Sequence, residues 1–161
     1  MIKDTAINIR RAQPEDLEAI THLFKETVLN INTKDYSEKQ VEAWAARYEK
    51  TQRWSDRIKH QYFLLAEYDD EIVGFGSITS DGYLDTLFAH KAHQKEGIGS
   101  SLLEKLLEYV KEIGRSKVHL DASLTARSFF ERKGFRMIKP QQKVIDGVVF
   151  VNFMMVRTLD E

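Results

Sequence analysis

The chain has 161 residues, 42% of them hydrophobic and 30% charged. One core of the usual roughly 100–200-residue size serves such a chain, and no metal or disulfide is needed to hold it together. Its 24 Lys plus Arg against 25 Asp plus Glu leave a net charge of −1, without the basic excess that sequence-independent binding to DNA or RNA uses.

No cysteine is present, which excludes disulfides, thiolate metal sites and any covalent intermediate on sulfur. No apolar run approaches the roughly 20 residues that span a bilayer. The opening MIKDTAINIR has neither the apolar stretch of a secretion signal nor the Arg/Ser-rich pattern of a transit peptide. A cytoplasmic chain with a single domain over residues 1–161 is expected, with no nucleic-acid or membrane partner.

Residues 6–11 alternate like a strand. After Pro14 the apolar positions Leu17, Ile20, Phe24, Val28 and Ile31 recur at helical spacing. Ser37 stands three residues before Gln40, a capping-box pattern that starts a second helix through Val41, Trp44 and Tyr48, with helical character continuing to His60. Residues 61–68 and 72–79 are rich in β-formers and flank the turn pair Asp69-Asp70, which predicts an antiparallel hairpin. Asp81-Gly82 then leads into a third strand of the same meander, residues 83–89.

The strongest helix follows, with Leu102, Leu103, Leu106, Leu107, Val110 and Ile113 on one face and Gly114 as its C-terminal left-handed cap. A short strand at 117–122, a helix at 125–133 ending at Gly134 and two strands around Asp146-Gly147 complete the chain. The order βααβββαβαββ describes an α+β or mixed α/β domain, whose strand–helix–strand unit over residues 83–122 should cross over right-handed. The C-terminal hairpin is the candidate contact for a homodimer.

The most informative stretch is YLDTLFAHKAHQKEGIGSSLLEKLL, a strand, a loop with Gln94, Lys95, Glu96, Gly97, Ile98 and Gly99, and then the strong helix. Glycines at such a junction let backbone approach a ligand, and the helix start offers unpaired N–H groups and a positive dipole end suited to phosphate. A nucleotide P-loop requires Gly-Lys-Ser/Thr, whereas Gly99 is followed by Ser100 and Ser101. A dinucleotide fingerprint requires a small residue where Leu102 stands. Asp121, at the end of the next strand, does mimic that fold's ribose-binding acid, so a Rossmann-type reading remains as a rival.

Gln94, Gly97 and Gly99 match Q/R-x-x-G-x-G/A in full, and in this the chain resembles the GNAT superfamily of acetyl-CoA-dependent N-acetyltransferases. A second block, DASLTARSFFERKGF, is similar to the family's A-x-x-F-Y-x-x-x-G-F segment, with Ala126, Phe129, Gly134 and Phe135 in register. The resemblance covers nearly the whole chain, including the hairpin EYDDEIVGFGSI with Gly74 and Phe75. It implies a GNAT-like fold, with a mostly antiparallel sheet split between strands four and five and flanked by helices. The pantetheine arm of acetyl-CoA, the co-substrate, would lie in that split.

By the same resemblance, backbone around Leu87, Phe88 and Ala89 pairs with the pantetheine and polarises the acetyl carbonyl. Main-chain donors from Gln94, Lys95, Glu96, Gly97, Ile98, Gly99 and Ser100 cradle the pyrophosphate. Two residues depart from the family pattern: Phe130 stands where many members have Tyr, their general acid to the leaving thiolate, and Ser123 where many have Asn. Phe129 and Phe130 can still pack on the cofactor, and Ser123 keeps a hydrogen-bonding group. A thiol pKa near roughly 8.5 makes CoA a fair leaving group.

Without cysteine, and with no Ser-His pair identifiable from spacing, a bound amine is expected to attack the thioester directly in a ternary complex. An alkylamine with a pKa near roughly 10 must first lose a proton. Asp85 is the expected acceptor of that proton, since period-two alternation puts it on the face of Tyr83 and Leu87; its competing role is a structural carboxylate paired with a nearby turn or Arg.

Tyr36, Trp44 and Trp54 belong to the region that the resemblance assigns to the amine acceptor, where an aromatic wall can hold a cation. Core packing is the competing role of the tryptophans, and Tyr36 is the better acceptor-site or proton-donor candidate. His90 and His93 lack a third ligand, so no metal is expected. Lys91, Lys95, Arg132 and Lys133 are candidates to meet the phosphates or simply to be solvated. The alternative to an enzyme, motivated by Phe130, is a non-catalytic acyl-CoA-binding or sensing module on the same fold.

Overall fold

The apolar spacing of residues 17–31 does form a helix, and the computed structural model, which describes residues 7–90 and 97–159, shows what it covers. In chain order the elements are β1 (Asn8–Arg11), α1 (Leu17–Ile31), α2 (Glu38–Ala45), α3 (Thr51–His60), β2 (Tyr62–Tyr68), β3 (Glu71–Ile78) and β4 (Leu84–Ala89). Then come α4 (Ile98–Glu112), β5 (Lys117–Ala122), α5 (Arg127–Arg132), β6 (Arg136–Ile145) and β7 (Val148–Thr158). The expected capping box is present: Ser37 Oγ accepts from Gln40 N at 3.1 Å, and Ser37 N donates to Gln40 Oε1 at 2.9 Å. The helical character expected up to His60 is a separate helix, α3, set off from α2 by a 3₁₀ turn over Ala46–Glu49, so three helices rather than two precede the meander.

β1-β2-β3-β4 form one antiparallel sheet and β5-β7-β6 another. Both faces of the first sheet are buried. Phe63, Leu65 and Phe75 pack against α1–α3, while Leu64, Ala66 and Val73 pack against α4. This is why β2 reads as an almost unbroken apolar run instead of an alternating one.

Gly74 and Gly76 let α4 lie close on β3. A Cβ at Gly74 would stand 2.6 Å from Ile98 Cγ2 and 3.0 Å from the Phe88 carbonyl oxygen; one at Gly76 would stand 2.9 Å from Leu106 Cδ1.

Among the described residues the two sheets are bridged at a single point. Tyr83 forms an isolated parallel bridge with His119, whose N–H donates to the Gly82 carbonyl at 3.0 Å. Gly82 has φ +90°, and a Cβ there would lie 2.6 Å from the Lys117 carbonyl oxygen, so glycine is required at this apex. Beyond it β4 and β5 share no ladder, which is the split expected between the fourth and fifth strands.

β6 and β7 extend as a long hairpin past the end of β5, and its outer face exposes Val144, Val149 and Val151.

Replacing Gly74 with Ala is expected to lower stability by about 1–3 kcal/mol, the usual cost of overpacking, because the rigid Phe88 carbonyl cannot move aside as a side chain can. Urea denaturation of the two proteins reads this directly.

Candidate functional site

Between β4 and β5 lies a cleft of about 1110 Å³, reaching from the start of α4 to the mouth formed by α2, α3 and the β6–β7 hairpin. At one end Gly97 caps α4 with φ 85°, and the first main-chain bond within the helix runs from Ser101 N to the Gly97 carbonyl at 2.9 Å. The amides of Ile98, Gly99 and Ser100 therefore have no acceptor in the helix, as at any helix start, and the cap residue, a glycine, has no side chain to offer them one. Among the described residues a Cβ at Gly99 would meet only the Phe129 ring, at an ordinary 3.6 Å. Nothing in the packing of the described residues demands a glycine there, whereas a group lying over the helix start would. Gln94, Lys95 and Glu96, expected to share this role, lie outside the described residues, as do Lys91 and His93.

The main chain of β4 presents alternate residues to the split. His90 N donates to the Val73 carbonyl at 2.7 Å, and Gly74 opposes Ala89. In an antiparallel ladder this makes Phe75–Phe88 and Ser77–Thr86 the hydrogen-bonded pairs. The N–H and C=O of Leu87 and Ala89 thus point toward β5, and the Ala89 carbonyl accepts from Thr27 Oγ1 at 3.3 Å. Phe88 differs from the expectation for these three residues: its main chain faces β3, and its ring packs against Phe24 and Phe75.

Asp85 does not share a face with Leu87. The register slips between Ser77 and Ile78, so that Ser77 opposes Thr86 and Ile78 opposes Leu84, leaving Asp85 as the extra residue of a bulge. The bulge breaks the alternation and turns the carboxylate toward α3. There Oδ2 accepts from Arg57 Nε and from Gln61 Nε2, each at 2.8 Å. Leu87 goes to the α4 side, among the apolar residues near Gly76. The competing structural role is therefore present in the geometry, although Asp85 still lines the cleft.

Tyr36 is buried, its ring edge-on to Trp44 and tilted against Phe150, and its hydroxyl accepts from Leu124 N at 2.7 Å. Burial pushes the phenol above its usual pKa, an effect only partly offset by the Leu124 amide and the Ser123 side chain. Ser123 Oγ in turn accepts from Ala126 N at 3.1 Å, shaping the turn into α5. Phe130 is buried edge-on between Phe129 and Phe135, and both Phe129 and Phe130 reach the cleft wall. Trp54 is a core residue, 1% exposed, with Nε1 donating to the Arg47 carbonyl; Trp44 is only partly buried and lines the cleft.

At the floor, Tyr83 donates its hydroxyl to Asp121 Oδ2 at 3.0 Å, and Gln141 Nε2 donates to Asp121 Oδ1 at 2.5 Å. Asp121 is thus part of a local network, in a fold that lacks the doubly wound parallel sheet a dinucleotide reading requires. Sequence reasoning passed over Arg57 and Gln61, which hold Asp85, and Thr27, which reaches the Ala89 carbonyl. The i,i+4 spacing of Arg53, Arg57 and Gln61 around the end of α3 was the available signal. Among the described residues no group of three His, Asp or Glu could hold a metal ion, and no helix is long and apolar enough to cross a membrane.

This arrangement, a split sheet with a glycine-capped helix start at one end, agrees with comparisons to known proteins. The family model for the GNAT acetyltransferase domain matches residues 32–157. An uncharacterized N-acetyltransferase of Escherichia coli K12, YafP, is 34% identical over 149 residues, 92% of this chain and 94% of that protein. A crystal structure of a GCN5-related N-acetyltransferase from Rhodopseudomonas palustris superposes with a TM-score of 0.94 at 26% identity, covering 99% of both chains. The PaiA N-acetyltransferase of Thermoplasma acidophilum, solved in complex with coenzyme A, superposes with a TM-score of 0.77 at 24% identity, covering 94% of this chain and 98% of that one. The chain belongs to the GNAT acetyltransferase family.

Exchange of Arg57 for Met, which leaves the half-buried Asp85 carboxylate without its cation, is expected to lower stability by about 1.5–3 kcal/mol, the value of a charged hydrogen bond. The same exchange at Arg53, one turn earlier on α3 and without an ion pair among the described residues, should cost less than about 0.5 kcal/mol. Chemical denaturation of both variants tests the contrast.

Proposed function

We propose that this protein transfers the acetyl group of acetyl-CoA to a primary amine of a small molecule or peptide, by direct attack within a ternary complex. One observation carries the reading: the glycine-capped start of α4 and the outward-facing main chain of Leu87 and Ala89 open onto the same cleft. Oriented main-chain donors suit a diphosphate at the helix start and an extended amide-bearing arm beside β4.

Gly97, Ile98, Gly99 and Ser100 would hold the diphosphate, and Leu87 and Ala89 would pair with the arm. The ring of Phe88, with Phe129, Phe130 and the hydroxyl of Ser123, would complete the wall. The thioester supplies an activated acetyl group. The amine's lone pair forms the new N–C bond, the C–S bond breaks with its electrons on sulfur, the nitrogen loses a proton and the thiolate gains one.

Asp85 is proposed to accept the proton from the amine through Oδ1, which takes part in no hydrogen bond among the described residues. Tyr36 is proposed to supply the proton to sulfur in the place that Phe130 cannot fill. Its raised pKa keeps the phenol protonated through neutral pH. Phe130 also favours a second reading, an acyl-CoA-binding module without turnover, which release of free CoA in the presence of amines would rule out.

Acetyl-CoA at about 100 times its dissociation constant should stabilise the protein by roughly 2.7 kcal/mol, a melting shift of roughly 5–11 °C at about 2–4 °C per kcal/mol. In Gly99→Ala the fold should be unharmed, or firmer by up to about 1 kcal/mol, yet the acetyl-CoA shift should shrink. An undiminished shift would remove the helix start from the binding site.

Tyr36→Phe is expected to lower kcat about 100-fold with the KM for acetyl-CoA unchanged, measured alongside melting because the Leu124 amide loses its acceptor. Asp85→Asn should lower turnover more than it weakens acetyl-CoA binding. Equal turnover at every pH in wild type and variant would take Asp85 out of the mechanism.

A further inference from the structure

The mouth of the cleft opposite α4 is walled by α3, the 3₁₀ turn before it and β6. It carries Arg47, Arg53, Arg57 and Lys143. Among the described residues only one of these four charges is matched at close range. Arg57 is paired with Asp85 at 2.8 Å, while among the described residues no carboxylate lies within 4.0 Å of Arg47, Arg53 or Lys143.

The nearby acids are otherwise engaged. Asp85 is held by Arg57 and Gln61, and Asp121 by Tyr83 and Gln141. Asp146, in the hairpin turn, attracts Arg47 without forming an ion pair. Glu49 and Lys50 line the neighbouring hollow rather than the cleft.

The three unmatched cations also repel one another. Partial removal from water, together with Arg47 and Arg53, lowers the Lys143 pKa against the weaker pull of Asp121 and Asp85, and burial together with Arg53 and Arg57 lowers that of Arg47 against the pull of Asp146. Like charges gathered on a concave, partly apolar surface focus a positive field into it, and the repulsion is relieved when an anion enters. Trp44, Tyr36 and Phe150 form the apolar wall beside them.

Resting on the acetyl-transfer reading above, we infer that the amine acceptor is a small amino acid, a primary amino group on a molecule that also carries a carboxylate, bound through Arg47, Arg53 and Lys143. Guanidinium groups accept a carboxylate in a two-pronged geometry, and the aromatic wall takes the carbon chain between carboxylate and amine. The same cations disfavour the protonated form of the acceptor's amine, so recognition of the carboxylate also assists loss of the proton that must leave before attack. A di- or polycationic amine meets the opposite field and is repelled.

The test uses the full chain, acetyl-CoA and free-CoA release. Each of a panel of α-amino acids and β-alanine is compared with its amide and with the amine lacking the carboxylate, and 1,3-diaminopropane is the dicationic arm. The expected result is that the best amino acid exceeds its two carboxylate-free counterparts and the diamine at least about tenfold in kcat/KM, the worth of roughly 1.4 kcal/mol. Arg53→Gln and Lys143→Gln should each lower that preference about tenfold through the acceptor KM, with the acetyl-CoA KM unchanged. Neither should lower the melting temperature, since each removes a repulsion.

Equal or better turnover of the carboxylate-free amines or the diamine, or a preference untouched in both variants, overturns the carboxylate-bearing acceptor while acetyl transfer stands. CoA release from none of the amines overturns the acceptor class and the transfer reading together. A missing melting shift with acetyl-CoA marks the failure as lying in the cofactor site.

Discussion

The cleft exists because β4 and β5 are allowed to touch once and then separate. At the apex, the Gly82 carbonyl accepts from His119 N and Tyr83 bridges to His119. One residue further along, the Leu84–Asp85 bulge adds twist to β4, as bulges do, and β5 is instead zipped along its whole length to β7. The cleft-facing edge of β4 is then a row of main-chain donors and acceptors without a strand beside it. Such an edge is ordinarily a liability; here it is walled by α1, through Thr27, and by the turn into α5. A Cβ on residue 82 would collide with the Lys117 carbonyl, so this geometry depends on a single glycine.

Two further glycines set the depth of the site. Gly74 and Gly76 let α4 sink onto β3, which fixes the height of its first turn relative to the exposed edge of β4. The helix start and the strand edge are thereby held by packing in the rigid core, through Ile98, Leu102 and Leu106, each no more than 1% exposed. Rigid backing of this kind is what allows main-chain amides to act as preorganised donors.

Most of this architecture was legible in the sequence because it depends on backbone conformation and apolar spacing. The capping box at Ser37, the turn at Asp69-Asp70 and the glycine cap at Gly114 announce themselves within a few residues. What could not be read were contacts made across the sheet. Asp85 was placed by strict alternation, and a bulge that depends on β3 moved it to the other face. Its partners Arg57 and Gln61 lie 28 and 24 residues away. The hydroxyl of Tyr36 meets Leu124 across 88 residues, so its nearness to Ser123 and Phe130 is a product of folding, with no local trace. The charged mouth was missed for the same reason: Arg47, Arg53 and Lys143 are scattered in sequence, each unremarkable alone, and together only when the hairpin lies over α3.

The electrostatic layout has a consequence for any reaction in the cleft. One end is the positive pole of α4 at its glycine cap, and the other is the cation-rich mouth; the carboxylates between them, Asp85 and Asp121, are held by Arg57, Gln61, Tyr83 and Gln141. Negative charge developing on a carbonyl oxygen or a departing thiolate is favoured between two positive poles, while positive charge building on an attacking nitrogen is not. The chain would therefore favour early loss of the amine's proton and late protonation of sulfur. In the proposed mechanism a buried phenol such as Tyr36, whose raised pKa makes it a reluctant acid, would suit the second demand: it would donate a hydrogen bond to the forming thiolate throughout and yield its proton only as the C–S bond finally parts.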